Sequence, residues 1–153
     1  MAVIKQIMVP TDFSQIAADA LDYAKTLAEA VKASLHIVHI LQEPKPVMFG
    51  EYVPLEDYWE AVEKSAREAI GRVLKESERE KFHATLWVGR GFPPDQIVKY
   101  ADQHAIDLIV MGTHGRSPVT RLLLGSVADR VIRKARCPVL TVHPREEKEI
   151  KKI

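Results

Sequence analysis

The chain has 153 residues, 46% of them hydrophobic and 28% charged, a size that suits one domain and buries roughly two-thirds of its unfolded surface without a metal or disulfide staple. Lys and Arg number 22 against 21 Asp and Glu, a formal net charge of +1, which argues against a broad basic field for nucleic-acid phosphates or an anionic membrane. The single Cys137 has no internal disulfide partner, no apolar run approaches the ~20 residues of a spanning helix, and the N-terminus lacks a secretory pattern; a cytoplasmic setting is expected.

Val3 to Val9 (VIKQIMV) is rich in β-branched residues and stops at Pro10, which predicts a first strand. Ser14 can cap the segment that follows, where Ala17, Ala20, Leu21, Ala24, Leu27, Ala28 and Val31 recur at helical spacing. Ser34 to Ile40 (SLHIVHI) reads as a second strand. Leu41 to Pro54 carries Pro44, Pro46, Gly50 and Pro54 and is irregular, with Met48, Phe49 and Tyr52 as candidates for a lid or partner surface. Helical periodicity returns from Leu55 to about Glu80, on a stripe of Val62, Ala66, Ala69, Ile70, Val73 and Leu74. His83 to Val88 reads as a third strand. Pro93 and Pro94 open a short helix through Ala101. Asp107 to Met111 (DLIVM) is a continuous apolar run, as in a strand buried on both faces. Ser126 to Lys134 is helical, and Pro138 to His143 is a fifth strand.

This alternation predicts an α/β fold: one doubly wound, five-stranded parallel sheet with helices on both faces. Residues 1–144 form the domain, and 145–153 are a charged tail. Ligands of such sheets bind beyond the carboxyl ends of the strands, where the strand order reverses.

The loops at those ends carry the candidate chemistry. After the fourth strand come Gly112, Thr113, His114 and Gly115, then nine residues, then Gly125 and Ser126 at a helix start. Paired glycines let the backbone turn and approach a ligand. A helix N-terminus offers free N–H groups and a positive dipole end to an anion. These pieces describe a two-part phosphate cradle in which His114 can touch a phosphate. They would equally serve a bare turn and a helix cap. After the first strand, Asp12 can bond a ribose, hold a hydrated Mg²⁺, or simply favour the helix that follows. The dinucleotide fingerprint and the P-loop motif are missing from their required places.

The stretches Val9 to Ser14, His39-Ile40, Val88-Gly89 through Pro93, Met111 to Arg116, Leu122 to Ala128 and Cys137 to Leu140 resemble the universal stress protein family, in its ATP-binding branch. The likeness covers residues 2 to 144. That family's ATP motif is Gly, two residues, Gly, nine residues, Gly, then Ser or Thr, and Gly112, Gly115, Gly125 and Ser126 fit it without a gap. The resemblance implies a Rossmann-like sheet of order 3-2-1-4-5. It implies that Gly115, Gly125 and Ser126 hold the phosphates of ATP, with Val127 and Arg116 nearby. Pro10, Thr11 and Asp12 would border the adenosine, Ile40 would meet adenine, and Met111 and Gly112 would floor the pocket. It also implies a homodimer paired through the last strand, about Val139 to Val142. One departure is Ser117-Pro118, where relatives often carry glycines.

On these grounds the expected function is a dimeric, nucleotide-dependent sensor or switch in stress response. The alternatives are a slow or partner-stimulated ATPase and a nucleotide-independent interaction module; no convincing general base or Walker lysine is visible. The six histidines offer no obvious metal set, since His36 and His39 stand three apart on a strand and point to opposite faces. Cys137 reads as a small buried residue, and Trp59 and Trp87 as packing.

Overall fold

The computed structural model describes residues 2–43, 55–114 and 124–144. The chain runs β1 (Gln6–Pro10), α1 (Gln15–Val31), β2 (Ser34–Leu41), α2 (Leu55–Ile70), α3 (Glu76–Lys81), β3 (Thr85–Arg90), α4 (Pro93–Gln103), β4 (Leu108–Gly112), α5 (Ser126–Lys134) and β5 (Val139–Val142). All strand pairs are parallel, in the order β3-β2-β1-β4-β5, as the alternation and the resemblance led us to expect.

The two faces of the sheet bury different sets of side chains. Ile7, Val9, Leu35, Ile37, Leu108 and Val110 pack against Ala20, Leu21, Ala24 and Ala28 of α1. Met8, Val38, Ile109 and Met111 pack on the other face against Ile97, Tyr100 and Ala101 of α4 and Ala128 and Val131 of α5. Alternate residues of β1 and β4 thus enter opposite cores, which is why these strands read as unbroken apolar runs.

Ser14 caps α1, its Oγ accepting from the Ala17 N–H at 3.3 Å, and Lys32 closes the helix in a left-handed conformation with its N–H on Ala28 O. β1 starts at Gln6 rather than Val3, and at its entry the N–H groups of Lys5 and Gln6 donate to Asp107 Oδ2 at 2.8 and 2.9 Å. Those donors serve a side chain instead of a strand ladder.

The long helix expected from Leu55 to Glu80 is two helices. After Ile70, the N–H groups of Arg72 and Val73 bond to the carbonyls of Ala69 and Ile70, tightening the last turn at Gly71. Leu74 is nevertheless buried and Val73 packs on the same core, so the apolar spacing persists across a break in the backbone. The carboxylate of Glu78 accepts from the Lys75 N–H at 2.9 Å and restarts the helix, and Arg79 donates to Gly71 O across the turn. β3 begins at Thr85, two residues later than expected, because the N–H groups of Phe82, His83 and Ala84 bond back onto α3. β3 also runs on through Gly89 to Arg90, where Leu41 pairs. The lid candidates Met48, Phe49 and Tyr52, the Ser117-Pro118 departure and the tail 145–153 lie outside the described residues.

Candidate functional site

β1 pairs with β2 on one side and β4 on the other, so the strand order reverses between β1 and β4. A cleft of about 380 Å³ opens at the carboxyl ends there, within the range of small-molecule sites and at the position such sheets use for ligands.

One wall is the β1–α1 turn. The Thr11 N–H donates to Val38 O at 2.8 Å, continuing the ladder beyond β1. Its hydroxyl accepts from the Phe13 N–H, and Asp12 Oδ1 accepts from the Ser14 N–H, both at 3.0 Å. Phe13 sits in the left-handed region, with φ at 65°, which a non-glycine residue adopts only at a cost. The ring of His39, at the end of β2, lies 4.4 Å from that of Phe13. His39 Nδ1 is 2.7 Å from Thr11 O; a carbonyl only accepts, so Nδ1 carries the proton.

The opposite wall is built where the chain leaves β4 and returns at α5. Thr113 is buried and donates its N–H to Val142 O at 2.9 Å, while its carbonyl accepts from the Gly125 N–H at 2.6 Å. Its hydroxyl meets His114 Nδ1 at 2.9 Å. The Asp129 N–H to Gly125 O bond opens α5, and Ser126, Val127 and Ala128 form its first turn, whose N–H groups find no carbonyl within a helix. All three line the cleft, with Gly112, Thr113, His114 and Gly125. Val38, Ile40, Pro93, Ile97 and Met111 supply apolar surface. Asp12 is the one carboxylate among the described lining residues, and no lysine or arginine is among them. An anion here would meet backbone dipoles rather than cationic side chains.

The structure thus brings together Pro10, Thr11, Asp12, Ile40, Met111, Gly112, His114, Gly125, Ser126 and Val127. Gly115 and Arg116 lie outside the described residues. The sequence did not single out His39, Gln42, Thr113, Pro93 or Ile97 for the site, though all line the cleft. His39 could have been found from its place at the strand's carboxyl end; Thr113 carries no pattern beyond its glycine neighbours.

Two glycines have packing reasons of their own. A Cβ on Gly112 would stand 2.9 Å from the Ile16 side chain, and one on Gly125 would stand 2.5 Å from Thr113 O. His36 lies outside the cleft, on the other face of β2 from His39: Nδ1 is 2.9 Å from the Tyr100 hydroxyl and Nε2 2.9 Å from Gln6 Oε1. Burial, and then the neighbouring His104, hold its pKa below the usual value. Burial pushes the Cys137 thiol up, which suits a packing residue. Among the described residues no cluster of three His, Cys, Asp or Glu could hold a metal ion, and no helix is long and apolar enough to cross a membrane.

A parallel doubly wound sheet with a cleft at its switch point, walled by a helix N-terminus, defines a small Rossmann-like α/β protein with its candidate ligand site at that point. The universal stress protein family model matches residues 4–143, and the chain belongs to that family. It is 35% identical over 150 residues to universal stress protein MJ0531 of Methanocaldococcus jannaschii, covering 94% of this chain and 85% of that one. The solved structure of MJ0577, described as a hypothetical protein in a structure-based assignment of biochemical function, aligns with a TM-score of 0.74 at 28% identity, over 94% of this chain and 99% of that one. A universal stress protein crystallised in complex with cAMP aligns with a TM-score of 0.68 at 26% identity, over 94% and 99% of the two chains.

Proposed function

We propose that the protein binds ATP in the β1–β4 cleft and acts as a dimeric, nucleotide-dependent sensor or switch in the cytoplasm. The observation that carries this reading is the convergence of ten candidate residues, drawn from four separate stretches of sequence, on one cleft. The cleft fits the group: its volume suits a nucleotide, its apolar wall suits a base, and the first turn of α5 suits a phosphate. The complex of a structural relative with cAMP supports an adenine nucleotide as the ligand class. In this reading Ile40 and Pro10 border adenine, Thr11 and Asp12 the ribose or a bound Mg²⁺, and Met111 and Gly112 the floor. Gly125, Ser126, Val127 and His114 hold phosphates together with Gly115 and Arg116.

Homodimer formation is assigned to β5, an outer strand of the sheet. The carbonyls of Pro138 and Val142 bond to β4. Alternation along the strand therefore turns the main-chain groups of Val139 and Thr141 to the open edge, where a second copy can pair.

A second reading, a nucleotide-independent interaction module, is favoured by one observation: the glycines at 112 and 125 are explained by Ile16 and Thr113 alone. Titration of ATP into the purified protein in Mg²⁺ buffer, followed by calorimetry, separates the two. Saturable one-site binding is expected; no heat at millimolar ATP would leave the interaction module. Single-turnover release of ADP tests for the ATPase, and only slow release is expected because Asp12 already accepts the Ser14 N–H.

A further inference from the structure

We infer that His39 is the positioning residue of the nucleotide site: it fixes the turn that presents Asp12 to the ligand. The inference rests on the nucleotide reading of the cleft and adds to it a residue whose side chain acts through the backbone. The turn from Thr11 to Ser14 has few supports of its own. Two short bonds, Phe13 N–H to Thr11 Oγ1 and Ser14 N–H to Asp12 Oδ1, close it internally, and Phe13 pays for it with a left-handed backbone at φ 65°. Such a conformation persists only where surrounding contacts hold it. His39 supplies two of them. Its Nδ1–H donates to Thr11 O at 2.7 Å, and its ring packs on Phe13 at 4.4 Å.

The geometry is directional. β2 is an inner strand, paired with β1 over Ser34–Val38 and with β3 over His36–Leu41, so the imidazole projects from a rigid element onto a turn of the wall that has no strand or helix of its own. The Thr11 carbonyl it holds and the Asp12 carboxylate belong to adjacent residues, so a rotation of the 11–12 peptide moves the carboxylate relative to the cleft. The neighbouring N–H of Thr11 is separately fixed to Val38 O. Strand β2 thereby grips both ends of the Thr11 residue, and the exit direction of the chain toward Asp12 follows from that grip.

The chemistry also selects the substitution that should replace His39. The amide nitrogen of asparagine takes nearly the position of Nδ1, whereas that of glutamine reaches the position of Nε2, away from Thr11 O.

The test compares the wild type with His39→Asn, His39→Gln and His39→Leu. Calorimetric affinity for ATP and hydrogen exchange of the Phe13 and Ser14 amides are both measured. We expect His39→Leu and His39→Gln to weaken ATP by about tenfold, as for a lost hydrogen bond to a partly buried carbonyl, and to speed exchange of the Ser14 amide. His39→Asn should stay within about threefold of the wild type on both readouts. Equal loss in the Asn and Leu variants, or wild-type affinity in the Leu variant, would overturn the inference. So would unchanged Ser14 exchange in His39→Leu. If the wild type itself binds no ATP, the nucleotide reading fails, while the exchange data still decide whether His39 holds the turn. Should the Leu variant not fold, the Asn and Gln pair gives the same comparison.

Discussion

The backbone of Gly125 lies against that of Thr113 closely enough that the Gly125 N–H reaches the Thr113 carbonyl at 2.6 Å, and a Cβ at 125 would stand 2.5 Å from the same oxygen. This contact closes the excursion from β4 and seats the first turn of α5 over the cleft. A side chain cannot be added there without moving the wall.

Gly125→Ala is therefore expected to lower both stability and affinity. The clash is with backbone rather than with the end of a side chain, so a cost of about 1–3 kcal/mol is expected. At roughly 2–4 °C per kcal/mol for a domain of this size, a thermal melt resolves it. ATP affinity should fall with it, because the N–H groups of Ser126 and Val127 shift. A melt unchanged from wild type would show that Thr113 moves aside freely.

Stability should depend on pH through His36. The folded chain holds it neutral, with Nε2 donating to Gln6 Oε1 and Nδ1 accepting from the Tyr100 hydroxyl. The facing groups are Gln6, Tyr100 and His104, whose ring is 5.9 Å away, and none of them is an anion. Its folded pKa lies below the ordinary 6.5. The stabilisation is then complete above 6.5 and is lost as pH falls through that value toward the lower folded one, because the unfolded chain binds the proton first. Urea melts between pH 8 and pH 5 should show the decline, and His36→Gln should flatten it. An identical slope in the variant would remove His36 as the cause.

Asp107 ties the start of β1 to the start of β4. Its Oδ2 accepts from the N–H groups of both Lys5 and Gln6, and its own N–H donates to Gln6 O. Asp107→Ala should cost about 2 kcal/mol and release the residues before β1. The midpoint of chemical denaturation measures the cost, and hydrogen exchange at Lys5 and Gln6 locates it.

Dimerisation through β5 predicts a selective variant. Thr141→Pro deletes an N–H that faces the open edge, which an edge strand tolerates, and leaves the β4 ladder through Pro138 and Val142 in place. Sedimentation should give monomers with a melt close to that of the wild type. Dimers in the variant would place the contact elsewhere.

Much of this architecture is legible in the sequence because most strands are short apolar runs with proline or glycine at or just beyond their ends, and the longer helices repeat their apolar residues at a fixed spacing. The break at Gly71 is hidden for the same reason. Val73 and Leu74 keep the helical spacing while the chain turns, so periodicity alone continues the helix. The start of β3 is hidden because Phe82 to Ala84 bond backward onto α3, and strand-forming residues do not reveal which donors are already engaged. At the site, Gly112, Gly125 and Ser126 of the glycine spacing and Asp12 after β1 do line one cleft. His39 and Thr113 escape because their main contributions are contacts with backbone distant in sequence, Thr11 O for the one and Val142 O and the Gly125 N–H for the other, which no local pattern marks. The opposed directions of His36 and His39, by contrast, follow from strand alternation, and the structure places one against Tyr100 and the other against Thr11.

The Thr113 peptides also bear on the proposed switch. The Thr113 N–H is held by Val142 of the edge strand, and its carbonyl by Gly125 at the head of α5, so a single residue is the hinge pin between an outer surface and an inner one. Whatever displaces the edge strand pulls on the same residue that seats the helix head, and whatever loads the helix head pulls back. Linkage requires such influence to be mutual and equal in free energy: a ligand that tightens subunit association by some factor is itself bound more tightly in the associated state by that factor. Measuring association at saturating and at zero ATP reads that coupling directly, with Thr113 as one of its links.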